Sequence, residues 1–253
     1  MRLDVLDLRR FYGTDLGAAA SAMILRRILA LWPHASGLDV AGIGYAGPYL
    51  EPYLPTARRV ALAMPGQQGA EAWPSATAGA ACLADEAALP FRDASFDRAL
   101  LVHALEESDA LGPLLDETWR ICAGQARIIV VAPSRASLWS LSDASPFGHG
   151  RPFSRSQLAR LLRRHGFEPT AWAHALYAPP LRWRAVARSM EAWEFMGEWL
   201  WPGFGGVILA EAKKQVLVDP GGKAVHVLAR APAHVRPCRY VAAAAAYRDP
   251  HSL

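Results

Sequence analysis

Three stretches of the chain gather residue types that can do chemistry. In residues 39–50, DVAGIGYAGPYL, an apolar run leads into Gly42, Gly44 and Gly47. Glycines after a strand let backbone approach a ligand closely, and a helix that follows offers its N-terminus. In residues 145–154, SPFGHGRPFS, two glycines flank His149, and Arg151 precedes a helix cap. His149 can move a proton near neutral pH, and Arg151 with the helix N-terminus suits an anion. The third group is Asp85 and Glu86 in a turn, with His103 ending a buried apolar strand. Each has a plainer reading: a tight ligand-free turn, a rigid surface loop, a solvated acidic turn and a satisfied core histidine.

The elements that must position these residues follow from periodicity. Leu16, Met23, Ile24, Ile28 and Leu31 have helical spacing over 15–32, opened by Thr14 and Asp15 and closed by Pro33. Short apolar runs at 37–43, 59–63, 79–84, 96–103 and 127–132 read as strands, and residues 109–122 and 154–165 as helices. Strands that are continuous apolar runs, alternating with helices, indicate a largely parallel sheet covered on both faces. Later, 167–177 and 206–218 read as strands and 181–199 as a helix. Residues 1–218 are expected as one α/β domain with an N-terminal helix, followed by a basic, Ala- and Pro-rich tail over 219–253.

Composition excludes several classes. The 253 residues are 52% hydrophobic and 20% charged, enough for a full core. A net charge of +4 is too small to argue for nucleic acid. Cys82, Cys122 and Cys238 are odd in number and far apart, which speaks against a disulfide framework or a cysteine-rich zinc site; no metal is expected. The first residues are charged where a leader would be apolar, and residues 199–210 are too short and too broken by Pro and Gly to span a bilayer. A soluble, cytoplasmic protein is the expectation.

Residues 85–97, DEAALPFRDASFD, resemble the LPF…SFD signature of class I S-adenosylmethionine-dependent methyltransferases of the type 11 kind. LLDETWRICAGQARIIVVAP and SRSQLARLLRRHGF continue the likeness, which covers roughly residues 35–220. It implies a doubly wound, Rossmann-like fold: a seven-stranded, mostly parallel sheet with the last strand antiparallel. It also implies S-adenosylmethionine in the crevice at the C-terminal ends of the first strands. There the family places an acid and Gly-x-Gly-x-Gly after strand one, an acid after strand two for the ribose, and an Asp after strand three for the adenine.

Mapped onto that pattern, Gly42 stands at the first acid, Gly44 at the first glycine, Ala46 at the second and Pro48 at the third. Met64 stands where the ribose acid belongs, and only Asp85 matches. The implied cofactor set is therefore Gly42, Gly44, Tyr45, Ala46, Met64, Asp85 and Glu86, a weakened site. Charged hydrogen bonds are the strong ones, and losing such a clamp costs roughly 1.5–3 kcal/mol. As base the reading places His149 ahead of His103, with Arg151 on the acceptor, an unidentified small molecule. The alternative is an inactive relative serving as a protein partner. Its surface would be the helix face of Trp183, Met190 and Trp193, which otherwise reads as core. Similar bacterial proteins are often encoded beside a glyoxalase II hydrolase, the candidate partner that the resemblance implies.

Overall fold

The strands are the alternating and continuous apolar runs, and they form one sheet. The computed structural model of the protein describes residues 2–74, 79–142, 145–180 and 203–216, with residues 194, 196, 197, 199 and 200. The expected Trp183–Trp193 face and the tail over 219–253 lie outside the described residues. In chain order the elements are α1 (Val5–Tyr12), α2 (Asp15–Leu31), β1 (Asp39–Gly44), α3 (Gly47–Leu50), β2 (Arg59–Pro65), β3 (Ala81–Ala84), β4 (Phe96–Val102), α4 (Leu111–Ile121), β5 (Cys122–Pro133), α5 (Arg155–Arg164), β6 (Phe167–Ala175) and β7 (Val207–Lys214).

The seven-stranded sheet runs β3-β2-β1-β4-β5-β7-β6. β1 to β5 pair in parallel, while β7 is antiparallel to both β5 and β6. The last strand is thus antiparallel as expected, inserted between β5 and β6. The chain runs outward from β1 through β2 to β3, then crosses back to β4 on the other side of β1, so the crevice of an open α/β sheet falls at the C-terminal ends of β1 and β4.

Successive β1 side chains point to opposite faces, with Val40 in one core and Ala41 and Ile43 in the other. The first core packs α1 and α2 through Leu8, Ile24 and Ile28; the second packs α4 and α5 through Leu114, Leu115, Leu158 and Leu162. Full burial of each such side chain contributes about 1.5–3 kcal/mol.

Two element assignments differ from the sequence reading. Residues 122–126, of which Cys122 was expected to end a helix and the rest to precede the strand at 127, are the start of the 12-residue β5. A register shift between Phe96 and Arg98 absorbs them as an irregularity in pairing with β4. The N-terminal residues, expected only to be charged, form α1, capped by Asp4, whose side chain accepts from the Leu6 amide. Val5, Leu8 and Tyr12 fall on one face of it, at i, i+3 and i+7. Gly17 makes the fold-back possible: a Cβ there would meet the Phe11 carbonyl, so α1 turns tightly onto α2 and is directed across the sheet edge.

Candidate functional site

β1 ends at Gly44, whose φ of 82° belongs to the left-handed region that favours glycine. A Cβ there would meet the Val102 carbonyl, and the Tyr45 amide donates to that same oxygen at 2.8 Å. The glycine loop is therefore folded down onto the exit of β4. Pro48 is accommodated at the first turn of α3, where its missing N–H costs nothing. Tyr45 and Ala46 are buried.

Gly42 has a packing role. A Cβ added to it would lie 2.5 Å from Leu50 Cδ1 and 2.9 Å from Leu62 Cδ1. The space beside Gly42, where the resemblance would put a first carboxylate, is filled by these two leucines. At the second place Met64 is buried, and β2 continues through Pro65. Asp39 sits at the opposite end of β1, paired with Arg58 at 2.5 Å, which holds its carboxyl below the usual range. It does not replace the missing acid.

After β3 the acidic pair divides its roles. Asp85 is exposed and accepts from the Ala87 amide at 2.9 Å, closing its own turn. Glu86 is drawn inward: it accepts from Arg2 at 2.6 Å and from the Ser108 hydroxyl at 2.8 Å. Of the two, Glu86 carries the connection to the rest of the molecule.

The crevice is covered by residues 2–12 of the chain itself. Arg2 reaches Glu86 after β3, donates to the Ala104 carbonyl at 3.1 Å, and lies 3.7 Å from Glu107. The Leu3 amide donates to Glu107 at 3.1 Å, and the Val5 amide donates to the Gln68 carbonyl, after β2, at 2.8 Å. Tyr12 stacks on Tyr45, with ring centroids 5.4 Å apart and planes 13° off parallel. The segment touches the exits of β1, β2, β3 and β4. Sequence reasoning missed it because its contacts lie up to 104 residues away; only the apolar spacing of Val5, Leu8 and Tyr12 pointed to a buried helix.

Under this cover lies a hydrogen-bonded chain. His103 has left β4 with φ at 49°, a strained position for a non-glycine residue. Its Nε2 lies 2.7 Å from the Tyr12 hydroxyl and its Nδ1 3.0 Å from Glu106 Oε1. The Tyr49 hydroxyl donates to Tyr12 at 3.1 Å. This geometry suits an imidazole donating from Nδ1 to Glu106 and accepting at Nε2 from Tyr12. Burial pushes the Tyr12 hydroxyl well up and that of Tyr49 up to about 12, so both stay protonated donors. Burial also pushes Glu107 up to about 7, against the opposing pull of His103 and Arg2.

The loop over 145–154 lies beside this chain. Phe147 is 5.0 Å from the His103 ring and 6.3 Å from that of Phe11, and the Arg151 amide donates to the Glu106 carbonyl at 2.8 Å. His149 is half-buried on that loop, and no hydrogen bond joins its ring to another described residue. The Arg151 side chain is exposed and faces a separate pocket with Arg135 and Arg160. The structure thus joins His103, Glu86 and Tyr45 through residues 2–12, and leaves Asp85, His149 and the Arg151 side chain outside that network.

With residues 2–12 in place, these residues do not fit S-adenosylmethionine: both carboxylate positions are apolar, and Tyr12 and Arg2 occupy the exits it would use. Buried polar atoms nevertheless remain unpaired among the described residues around the same exits: both side-chain ends of Gln68, Trp73 Nε1, Glu106 Oε2, Glu107 Oε1 and Arg2 Nε. Such orphans carry a cost of about 1–3 kcal/mol each that a polar ligand relieves.

No protein-family model and no curated protein matches the sequence. Solved structures do. An S-adenosylmethionine-dependent methyltransferase from Archaeoglobus fulgidus is 19% identical, with a TM-score of 0.59 over 83% of this chain and 98% of that one. Another from Thermotoga maritima is 19% identical, with a TM-score of 0.58 over 83% and 96%. The [4+2]-cyclase SpnF is 15% identical, with a TM-score of 0.51 over 76% and 80%. The sheet order, the antiparallel β7 and these likenesses establish the fold of S-adenosylmethionine-dependent methyltransferases for this chain.

Proposed function

We propose that this protein is an S-adenosylmethionine-dependent methyltransferase of a small-molecule acceptor whose crevice is closed by its own N-terminal segment and works only when that segment withdraws. The observation that carries the reading is the position of residues 2–12 across the exits of β1 to β4, above buried unpaired groups of Gln68, Glu106 and Glu107. In the closed arrangement no methyl transfer occurs, because the donor's place is taken. Withdrawal uncovers His103, which Glu106 still orients at 3.0 Å and which has then lost Tyr12. A histidine with a free Nε2 and a carboxylate behind Nδ1 is a proton acceptor in the right tautomer. This reading prefers His103 to His149 as the base.

The apolar Gly42 and Met64 positions favour a second reading, a methyltransferase fold that no longer transfers methyl groups and acts through a partner, including the hydrolase implied above. SpnF is a cyclase with this fold, and fold alone does not decide chemistry.

The two are separated by calorimetric titration of S-adenosylhomocysteine into the wild type and the Arg2→Ala, Tyr12→Ala variant. The gated enzyme binds weakly as wild type and at least about tenfold more tightly when the cover is loosened. No heat from either protein, with both folded, sinks the enzyme reading.

A further inference from the structure

Beside the crevice lies a concentration of unpaired positive charge. A pocket of about 230 Å³ is lined by Arg135, Arg151, Gln157, Arg160 and Arg164 above Phe153. Three elements supply it. Gln157, Arg160 and Arg164 stand at i, i+3 and i+7 and share one face of α5. Arg135 follows β5, where its amide donates to the Phe153 carbonyl at 3.0 Å; Arg151 is pinned by its amide bond to the Glu106 carbonyl at 2.8 Å. The backbones of both loops are therefore fixed before any ligand arrives.

Five other arginines face carboxylates: Arg2 faces Glu86, Arg58 faces Asp39, Arg120 faces Asp93, Arg127 faces Glu211 and Arg163 faces Glu168. Arg135, Arg151, Arg160 and Arg164 have no ion pair among the described residues. A guanidinium cannot shed its charge, so four of them around one pocket repel one another until an anion enters. Each offers a planar fork that grips two oxygens at once. One phosphate brings at most about four oxygens and about two charges to four cationic forks, whereas two or more linked phosphates bring more of both and come closer to satisfying them. Leu111 and Leu161, half-buried in the lining beside Phe153, give an organic group an apolar surface to rest on.

We infer that this pocket binds a small organic polyphosphate, a ligand with at least two linked phosphate groups. The inference is independent of methyl transfer. The test is calorimetry on the full chain with inorganic phosphate, inorganic pyrophosphate and adenosine diphosphate. The proteins are the wild type, Arg160→Gln with Arg164→Gln, Arg151→Gln, and Arg92→Gln as an exposed control. Pyrophosphate and the diphosphate are expected to bind at least about tenfold more tightly than phosphate, and to lose at least about tenfold in the paired variant. A smaller loss is expected in Arg151→Gln, and none in Arg92→Gln. Binding should weaken as salt rises from about 50 to about 300 mM. Thermal melts show whether each variant is folded. Equal binding of phosphate and pyrophosphate overturns the inference. So does binding that the pocket variants leave unchanged, or displacement of the diphosphate by S-adenosylhomocysteine, which would place it in the crevice. Binding of a hexaglutamate peptide without pyrophosphate would assign the pocket to an acidic protein partner and likewise overturn it.

Discussion

The hydroxyl of Tyr12 lies 2.7 Å from Nε2 of His103, across 91 residues of sequence. It joins the N-terminal helix to the strained exit of β4, and with Glu106 behind the imidazole it makes one buried chain from α1 to the candidate base. Removing the hydroxyl by Tyr12→Phe keeps the stack on Tyr45 and leaves Nε2 buried without a partner. The expected cost is about 1–3 kcal/mol, and each kcal/mol lowers Tm by about 2–4 °C for a domain of this size. A thermal melt checks it; an unchanged Tm would mean the bond contributes nothing.

Glu107 sets a pH dependence. Its folded pKa of about 7 lies above the usual 4.5, so the folded state holds the proton more tightly than the unfolded chain. That stabilisation is complete below about 4.5 and is lost as pH rises through 7, at about 1.4 kcal/mol per unit of difference. Burial is the larger effect, and Arg2, the Leu3 amide and His103 oppose it; ionisation therefore favours a solvated Glu107, and the N-terminal segment that packs over it is the element expected to open. Amide exchange across Val5–Tyr12, corrected for intrinsic rates, should be faster at pH 8 than at pH 6. Glu107→Gln should remove the difference. Equal protection at both values would contradict this.

Met64→Glu places a carboxylate where the resemblance would put the ribose. Met64 is buried, so the new charge has no partner in the closed protein, and a loss of about 2–4 kcal/mol is expected. Saturating S-adenosylhomocysteine should raise the variant's Tm by more than it raises the wild type's. An equal rise in both would place the ribose elsewhere.

Gly42→Ala sets a methyl against Leu50 and Leu62 in the centre of the sheet. Overpacking of this kind costs about 1–3 kcal/mol and should lower Tm without touching the Tyr12–His103 contact. A neutral substitution would mean that the leucines yield, and that Gly42 is not held by packing.

Legibility in the sequence divided along the range of the contacts. The strands of residues 37–43, 59–63, 96–103 and 127–132 were readable because continuous apolar runs are local. The turn at Gly44 was readable too, from the glycines that follow the apolar run. The closing of the crevice was not: Arg2 meets Glu86 and Leu3 meets Glu107 over 84 and 104 residues, and no short spacing encodes such meetings. The same limit hid the difference in contacts between Asp85 and Glu86. A turn that satisfies Asp85 and an arginine that reaches Glu86 look alike until α1 is in position. Gly42 was read as a lost acid, and its second role, admitting Leu50 and Leu62, needs the partner elements to be known.

The central claim is that the N-terminal segment and the cofactor compete for one place. Hydrogen exchange of the Val5–Tyr12 amides, with and without saturating S-adenosylhomocysteine, tests it most directly. Protection of these amides should fall when the ligand binds, while β4 and β5 stay protected. Protection that is unchanged or raised on binding would show the segment and the ligand held together, and would contradict the account.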